Sequence, residues 1–281
     1  MQRFIKSCRA SRVTQDLTGR TALIVGGTKG IGAEVANRLK ERGATTYVAG
    51  RSTTPASNLH TYLPADLSTI RGINDFIRLA RSRLPAKDVM LIQCSGHPPN
   101  GTLNVYQTVD KDFCVQCFGR LFVAWDLAPQ TSSIVWVAAP GGGYLDVNDI
   151  QTLKSTWTPL IVRQFLRDSA FLDISAAMIA QERGAKITHT FPGIVATEGY
   201  RNLFWKPVEW MQGLLLRTIG TSAVDYSEVP AYYAMNPSQT NEARFTSGGR
   251  SITPSTIAND ALKRQAVLDW SMEKRRMAEQ N

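Results

Sequence analysis

Apolar positions along this chain follow two periods that take turns. After Gly19, short runs dense in Val, Ile, Leu and Ala alternate with longer stretches in which apolar residues return every three or four places. The pattern continues to about residue 200. The first run, TALIVG over Thr21–Gly26, predicts a buried strand that ends in glycines. The stretch IGAEVANRLKERG after it predicts a helix with Val35, Ala36 and Leu39 turned inward and Gly43 as its stop. TTYVAG predicts a second strand, and HTYLPADLS a short third strand running into a turn. A second helix follows in TIRGINDFIRLARSRL, with Ile73, Phe76, Ile77 and Ala80 on one face. DVMLIQCSG predicts a fourth strand, KDFCVQCFGRLFVAWDLA a helix and SSIVWVAA a fifth strand. A long helix is expected from about Trp157 to Gln181, then a sixth strand in KITHTF, ended by Pro192 and Gly193.

Strands and helices in this alternation require a parallel sheet with helices on both faces. The expected fold is α/β: a doubly wound, Rossmann-like parallel sheet in a single domain over residues 18–250. Residues 1–17 read as a basic N-terminal extension, and residues 251–281 as a C-terminal extension with an amphipathic helix. Neither an internal repeat nor a low-complexity linker interrupts the chain.

A hydrophobic content of 43% and a charged content of 20% in 281 residues suit a globular protein with a sizeable core. No run of eighteen apolar residues occurs, so no membrane span is expected. The nearest approach, Leu203 to Leu216, is broken by Lys206, Pro207 and Glu209, and reads as an amphipathic segment over a pocket or on a partner surface. Four cysteines are too few and too scattered for a disulfide framework. Cys114 and Cys117 share one helical face with no second pair or histidine to complete a metal site, so two small core residues are expected there.

The net charge of +9 raises nucleic acid, anionic lipid or a charged assembly as partners, but the basic residues are dispersed. Lys274, Arg275 and Arg276 form the densest cluster and read as a solvated helix face rather than an RNA contact. Nucleic acid is therefore expected only through an assembly. The N-terminus carries Arg3, Lys6, Arg9 and Arg12 with no acid before Asp16, and Phe4, Ile5 and Cys8 share a face. That composition is the one of a mitochondrial import signal, and also the one of a frayed basic tail; mitochondrial localisation is the expectation, cytoplasmic the alternative.

VGGTKGIG, at the end of the first strand, places Gly26, Gly30 and Gly32 where a nucleotide-binding turn needs them. One glycine permits the tight turn, another a close approach to a pyrophosphate, and the third close helix–sheet packing. With this loop the chain resembles a short-chain dehydrogenase/reductase over roughly Thr18 to Thr197. VGGTKGIG resembles the family's T-G-x-x-x-G-I-G, with Val25 in place of threonine. ADLS resembles the acidic turn after the third strand, where Asp66 and Leu67 would border an adenine. QCSG, with Ser95 and Gly96, falls where the family has N-N-A-G, and FPGIVAT resembles P-G-x-x-x-T, so that Thr197 would bond a nicotinamide carboxamide. The resemblance thus implies a cofactor site formed by Gly26, Lys29, Gly30, Ile31, Gly32, Arg51, Ser52, Asp66, Leu67, Ser95, Gly96 and Thr197. At the end of the second strand, family members that use NAD place an acid; here Gly50 and Arg51 stand there, with Lys29 in the loop. A guanidinium grips a 2′-phosphate that a carboxylate would repel, so NADP is expected over NAD.

The same resemblance implies an Asn, Ser, Tyr and Lys set, in which the tyrosine moves a proton, the lysine lowers its pKa and the serine orients the carbonyl. Aligned on IVWVAAP, the serine position holds Ala139. The asparagine maps to Gln116, the tyrosine near Arg163 and the lysine near Arg167, and no tyrosine occurs between Tyr144 and Tyr200. Arginine cannot serve as acid or base at a working pH. Tyr144, after three glycines, and His97, past QCSG, are the remaining candidates near the site; a surface contact and a structural loop histidine are the plainer readings. No catalytic residue and no metal ligand is assigned. The expected protein is an NADP(H)-binding, short-chain-dehydrogenase-like subunit or assembly factor of a larger complex, without the ordinary catalytic residues. The cofactor would then be a structural or sensing ligand, and the C-terminal apolar residues Leu262, Val267, Leu268, Trp270, Met272 and Met277 would dock on a partner. A homodimer is a further option. The alternative is an active, atypical NADP-dependent reductase of a carbonyl, enone or imine with a hydrophobic substrate.

Overall fold

The computed structural model describes residues 1–51, 58–96, 99, 101–106, 109–151, 153, 157–193, 195–196, 221–237 and 240–280. The first elements are helix α1 (Gln2–Val13), strand β1 (Thr21–Val25), helix α2 (Gly30–Lys40) and strands β2 (Thr45–Gly50) and β3 (Thr61–Pro64). Helix α3 (Ile70–Arg83) leads to β4 (Val89–Gln93), followed by a small hairpin of β5 (Val105–Tyr106) and β6 (Val109–Asp110). Helix α4 (Lys111–Phe113) passes through a π turn (Cys114–Phe118) into α5 (Gly119–Leu127), and β7 (Thr131–Val137) follows. The 24-residue helix α6 (Leu160–Arg183) precedes β8 (Ile187–Phe191) and the short β9 (Val195–Ala196). The chain then runs through β10 (Thr221–Ser222), α7 (Ala223–Tyr226), α8 (Glu228–Met235), β11 (Glu242–Thr246) and α9 (Ala261–Gln280).

Seven parallel strands form the central sheet in the order β11-β8-β7-β4-β1-β2-β3. The six strands expected from apolar runs are all present. The seventh, β11, has the sequence EARFT, whose one buried residue is Arg244, so no apolar run announces it at the sheet edge. Successive residues of β1 point to opposite faces. Leu23 and Val25 enter the core beneath α3, α5 and α6, while Ala22 and Ile24 enter the one beneath α2 and α8. Thr69 caps α3, its hydroxyl accepting from the Gly72 amide at 3.1 Å.

Both chain ends are built into these cores rather than appended to them. Ile5 and Cys8 of α1 are buried with Val35, Leu39 and Val229. Val267 and Leu268 of α9 are buried in the other core, and Trp270 meets Phe113 and Phe118 with ring centroids 6.0 and 5.4 Å apart. The apolar stripe expected to dock on a partner is thus largely satisfied within the chain; Leu262, 83% exposed, and Met277, 37% exposed, are the exceptions. Arg275, expected on a solvated face, donates to Asn74 and Asp126 at 2.8 and 2.6 Å and lies over the Phe122 ring. The segment from Leu203 to Leu216 lies outside the described residues. No helix among the described residues is long and apolar enough to cross a membrane.

Candidate functional site

The sheet order reverses direction between β1 and β4: one series continues through β2 and β3, the other through β7, β8 and β11. In open parallel sheets the ligand crevice lies outside the carboxyl ends of the strands at this point. The glycine loop occupies it. The amides of Gly26 and Gly27 bond the Ala49 carbonyl at the end of β2, at 2.8 and 3.2 Å. Gly26 has φ +79° and lies so close to Ser95 that a β-carbon would stand 2.5 Å from the Ser95 nitrogen. A β-carbon on Gly32 would run into the Gly26 carbonyl. Only glycine keeps this backbone bare, and the amides at the start of α2 open onto it.

The cationic end of the crevice is fixed by a steric detail. A β-carbon on Gly50 would come within 2.8 Å of the Thr28 methyl, so any side chain at this strand end would have to displace Thr28. Arg51 and Lys29 are both exposed on either side of this contact. Asp66 accepts from the amide and hydroxyl of Ser68 at 2.9 and 2.7 Å. Burial pushes its carboxyl up, but these two bonds and the charges of Arg51 and Lys111 outweigh it and hold the group below the ordinary range. Leu67 is buried against Gly119. Ile31 turns its side chain toward the core, leaving its amide as the group that a phosphate would meet. Ser95 keeps a buried hydroxyl with no partner, and Gly96 is packed under the Gln116 amide. Ser52, Thr197 and His97 lie outside the described residues.

Toward the other end of the crevice, the two arginines read from sequence at the tyrosine and lysine positions are both held by other contacts. Arg163 turns away and donates to the Leu153 carbonyl. Arg167 is 1% exposed, lies 4.5 Å over the Phe113 ring, and pairs with Asp168 at 2.8 Å and Asp110 at 3.7 Å. It is a buried structural cation and not a patch on the cofactor face. The residue after each arginine is tied to a neighbouring loop or turn. Gln164 accepts from the Gly101 amide at 3.0 Å and donates to the Thr102 carbonyl at 2.5 Å, holding the loop after β4. Asp168, one turn later, takes the Cys117 thiol from the π turn. Burial raises its carboxyl above the ordinary range, with Arg167 pulling the other way. Sequence reasoning missed this pair because helix phase depends on where α6 begins, at Leu160 behind Pro159.

Ala139 lies two residues past the end of β7, and its carbonyl accepts the Ser169 hydroxyl at 2.7 Å. Tyr144 is 71% exposed and does not enter the crevice. Cys114 and Cys117 are buried core thiols, and burial lifts that of Cys114 to about 12. Beneath the site, Arg120 is fully buried and donates to both oxygens of Gln116 at 2.6 and 2.9 Å and to the Val137 carbonyl at 2.9 Å. A guanidinium has only donors, so the amide oxygen of Gln116 must face it. Asp173, entirely buried, accepts from the amides of Gly141 and Ser255 and from Arg244 Nε, all within 3.0 Å. It pins the glycine loop after β7 to α6 and to the β11 edge. No group of three metal-ligating side chains forms among the described residues.

Residues 20–140 match the family model described as short chain dehydrogenase. An uncharacterized oxidoreductase of Staphylococcus aureus (strain USA300) is 22% identical over 191 residues, which is 64% of this chain and 80% of that protein. Among solved structures, a dehydrogenase/reductase from Sinorhizobium meliloti 1021 superposes with a TM-score of 0.60 at 18% identity, over 86% of this chain and 99% of the other. A short chain dehydrogenase from Burkholderia cenocepacia J2315, solved in complex with NADP, gives 0.58 at 17% identity, over 83% and 97%. These structural likenesses show a shared fold.

Proposed function

We propose that this chain, which belongs to the short-chain dehydrogenase/reductase family, binds NADP(H) and lacks the family's ordinary proton relay, so that binding rather than turnover is its main activity. The glycine loop and the amides opening α2 would hold the pyrophosphate. Arg51 and Lys29 would meet the 2′-phosphate, while Asp66 and Leu67 border the adenine. The fit rests on the bare backbone at Gly26 and Gly32 and on a side-chain-free Gly50 crowded by Thr28 at the end of β2. The Burkholderia structure carries NADP in the same fold. When bound, such a cofactor supplies a hydride. What this chain adds at the acceptor end is Ala139, Gln164 and Asp168 in place of a hydroxyl, a phenol and an ammonium.

The observation that carries this reading is the pair Gln164 and Asp168 on the face of α6 that meets Gly101 and Cys117. An amide committed to two backbone partners cannot exchange a proton with a substrate. A role as an NADP(H)-responsive subunit or assembly factor of a larger, mitochondrial complex follows this reading. The test is a titration of purified protein with NADPH, read by nicotinamide fluorescence and thermal shift, beside turnover on simple ketones and quinones. Saturable binding without turnover supports the proposal; an ordinary turnover rate removes it.

Asp168 favours a second reading, an atypical oxidoreductase acting on an enone, imine or carbonyl. Its side chain is 13% exposed and its carboxyl is raised by burial, which makes it a titratable group beside the π turn. Turnover that is lost in Asp168→Asn, with NADPH affinity intact, would establish this reading in place of the first.

A further inference from the structure

The first helix carries the composition of an import signal, yet its residues are used in another way. Along one face, Ile5, Cys8 and Arg12 are buried. Ile5 and Cys8 join Val35, Leu39, Tyr226 and Val229 between α2 and α8. The Phe4 ring lies edge-on to Tyr232 at 6.4 Å and packs over Gly249 in the turn after β11.

The floor of this groove is a charge. Glu228, the first residue of α8, is wholly buried. Arg12 reaches it with Nε at 2.7 Å and Nη2 at 3.3 Å, and Arg9 with Nε at 3.0 Å. A third guanidinium, Arg38 of α2, lies 3.3 Å away. Arg9 also pairs with Asp225 at 3.1 Å, and Arg12 with Glu41 at 3.3 Å. A carboxylate taken out of water loses several kcal/mol of hydration unless close partners replace it. Without α1, Glu228 would keep Arg38 alone and the apolar floor around Val229 would face water. Of the four basic residues that resemble a targeting pattern, Arg9 and Arg12 therefore answer acids inside the fold, whereas Arg3 and Lys6 remain exposed.

We infer that the α2–α8 groove is an intramolecular receptor for a basic amphipathic helix, that its occupant is the chain's own residues 2–13, and that the mature protein retains them. The groove recognises its occupant by two features together: apolar side chains at Phe4, Ile5 and Cys8, and arginines at 9 and 12 over a buried acid. The Thr221 hydroxyl contacts Met1 Sδ at 3.1 Å, and β10, which begins there, pairs with β9 just after the FPG turn. This inference stands apart from the cofactor reading, since nothing in the groove touches the nucleotide site.

Two measurements on the full-length protein test it. The first is peptide mass analysis of protein isolated from its natural source: recovery of peptides covering Phe4–Arg9 is expected, and a chain that starts after Val13 overturns the inference. The second is amide hydrogen exchange of the intact protein. Protection of Cys8–Val13 comparable with that of α2 is expected, falling at least tenfold in Glu228→Gln and unchanged in the double variant Arg3→Gln, Lys6→Gln. Exchange of these amides as fast as in an unstructured tail, already in the wild type, overturns the inference without any variant having to fold.

Discussion

Ser169 Oγ lies 2.7 Å from the carbonyl oxygen of Ala139 and 2.8 Å from that of Gly141, and one hydroxyl proton serves both. The strand end where the family resemblance implies a serine is thus tied down from α6, by a hydroxyl that faces backbone. Restoring a serine at 139 adds a donor but no phenol. Ala139→Ser is expected to leave NADPH-dependent ketone turnover within about twofold of the parent rate, read by absorbance at saturating cofactor. A tenfold rise would show that a proton donor already operates nearby.

Arg51 carries the expected cofactor preference. Reversing its charge removes a charge-assisted bond of about 1.5–3 kcal/mol and adds repulsion. Arg51→Glu should therefore weaken NADPH binding by roughly 10–100-fold, while NADH affinity changes by less than about threefold. Paired fluorescence titrations decide it, and equal losses for both cofactors would place Arg51 outside the 2′-phosphate site.

Asp173 joins three parts of the chain. Its removal leaves the Arg244 cation and two amides without their acceptor, and breaking a buried pair costs about 3–5 kcal/mol. Asp173→Ala should lower the denaturant midpoint accordingly and the melting temperature by roughly 10 °C. A loss under about 1 kcal/mol would contradict the hub described above.

His189 gives the fold an acid-sensitive term. It is fully buried, neither ring nitrogen makes a hydrogen bond although Nδ1 lies 3.8 Å from Asp173 Oδ1, and burial, with Arg244 and Arg120 nearby, holds its pKa well below the ordinary histidine value. The unfolded chain protonates this histidine near pH 6.5 while the folded chain does not, so its contribution is present above that pH and falls as pH drops below it. Asp168 and Glu242, raised by burial, act in the opposite sense at lower pH. Comparing wild type with His189→Gln cancels these shared groups. Stability measured from pH 7.5 to 5 should fall more steeply in the wild type, and parallel curves would refute the assignment.

Helix α9 is expected to behave as core. Trp270→Ala should cost about 3 kcal/mol, because the ring packs on Phe113 and Phe118. Leu262→Ala, at a side chain 83% exposed, should cost under about 0.5 kcal/mol. Similar small losses at both positions would mean that α9 is detached in solution.

Residue order alone makes legible the alternation of strands and helices, the glycine loop, the acid-free end of β2 and the absence of a tyrosine on α6. All of these depend on local periodicity or residue type, which needs no partner to be read. Tertiary structure decided the rest. The phase of α6 turned Gln164 to Gly101 and Thr102 and Asp168 to Cys117, and buried Arg167 against Phe113, a matter of where one long helix starts and what it packs on. The edge strand β11 exists because β8 offers it an open ladder, since its own five residues carry no apolar run. The arginines of α1 look like a free basic tail until Glu228, more than two hundred residues away, supplies the buried charge that they neutralise. Such pairings join residues distant in sequence, and the energy that selects them arises only once both are removed from water.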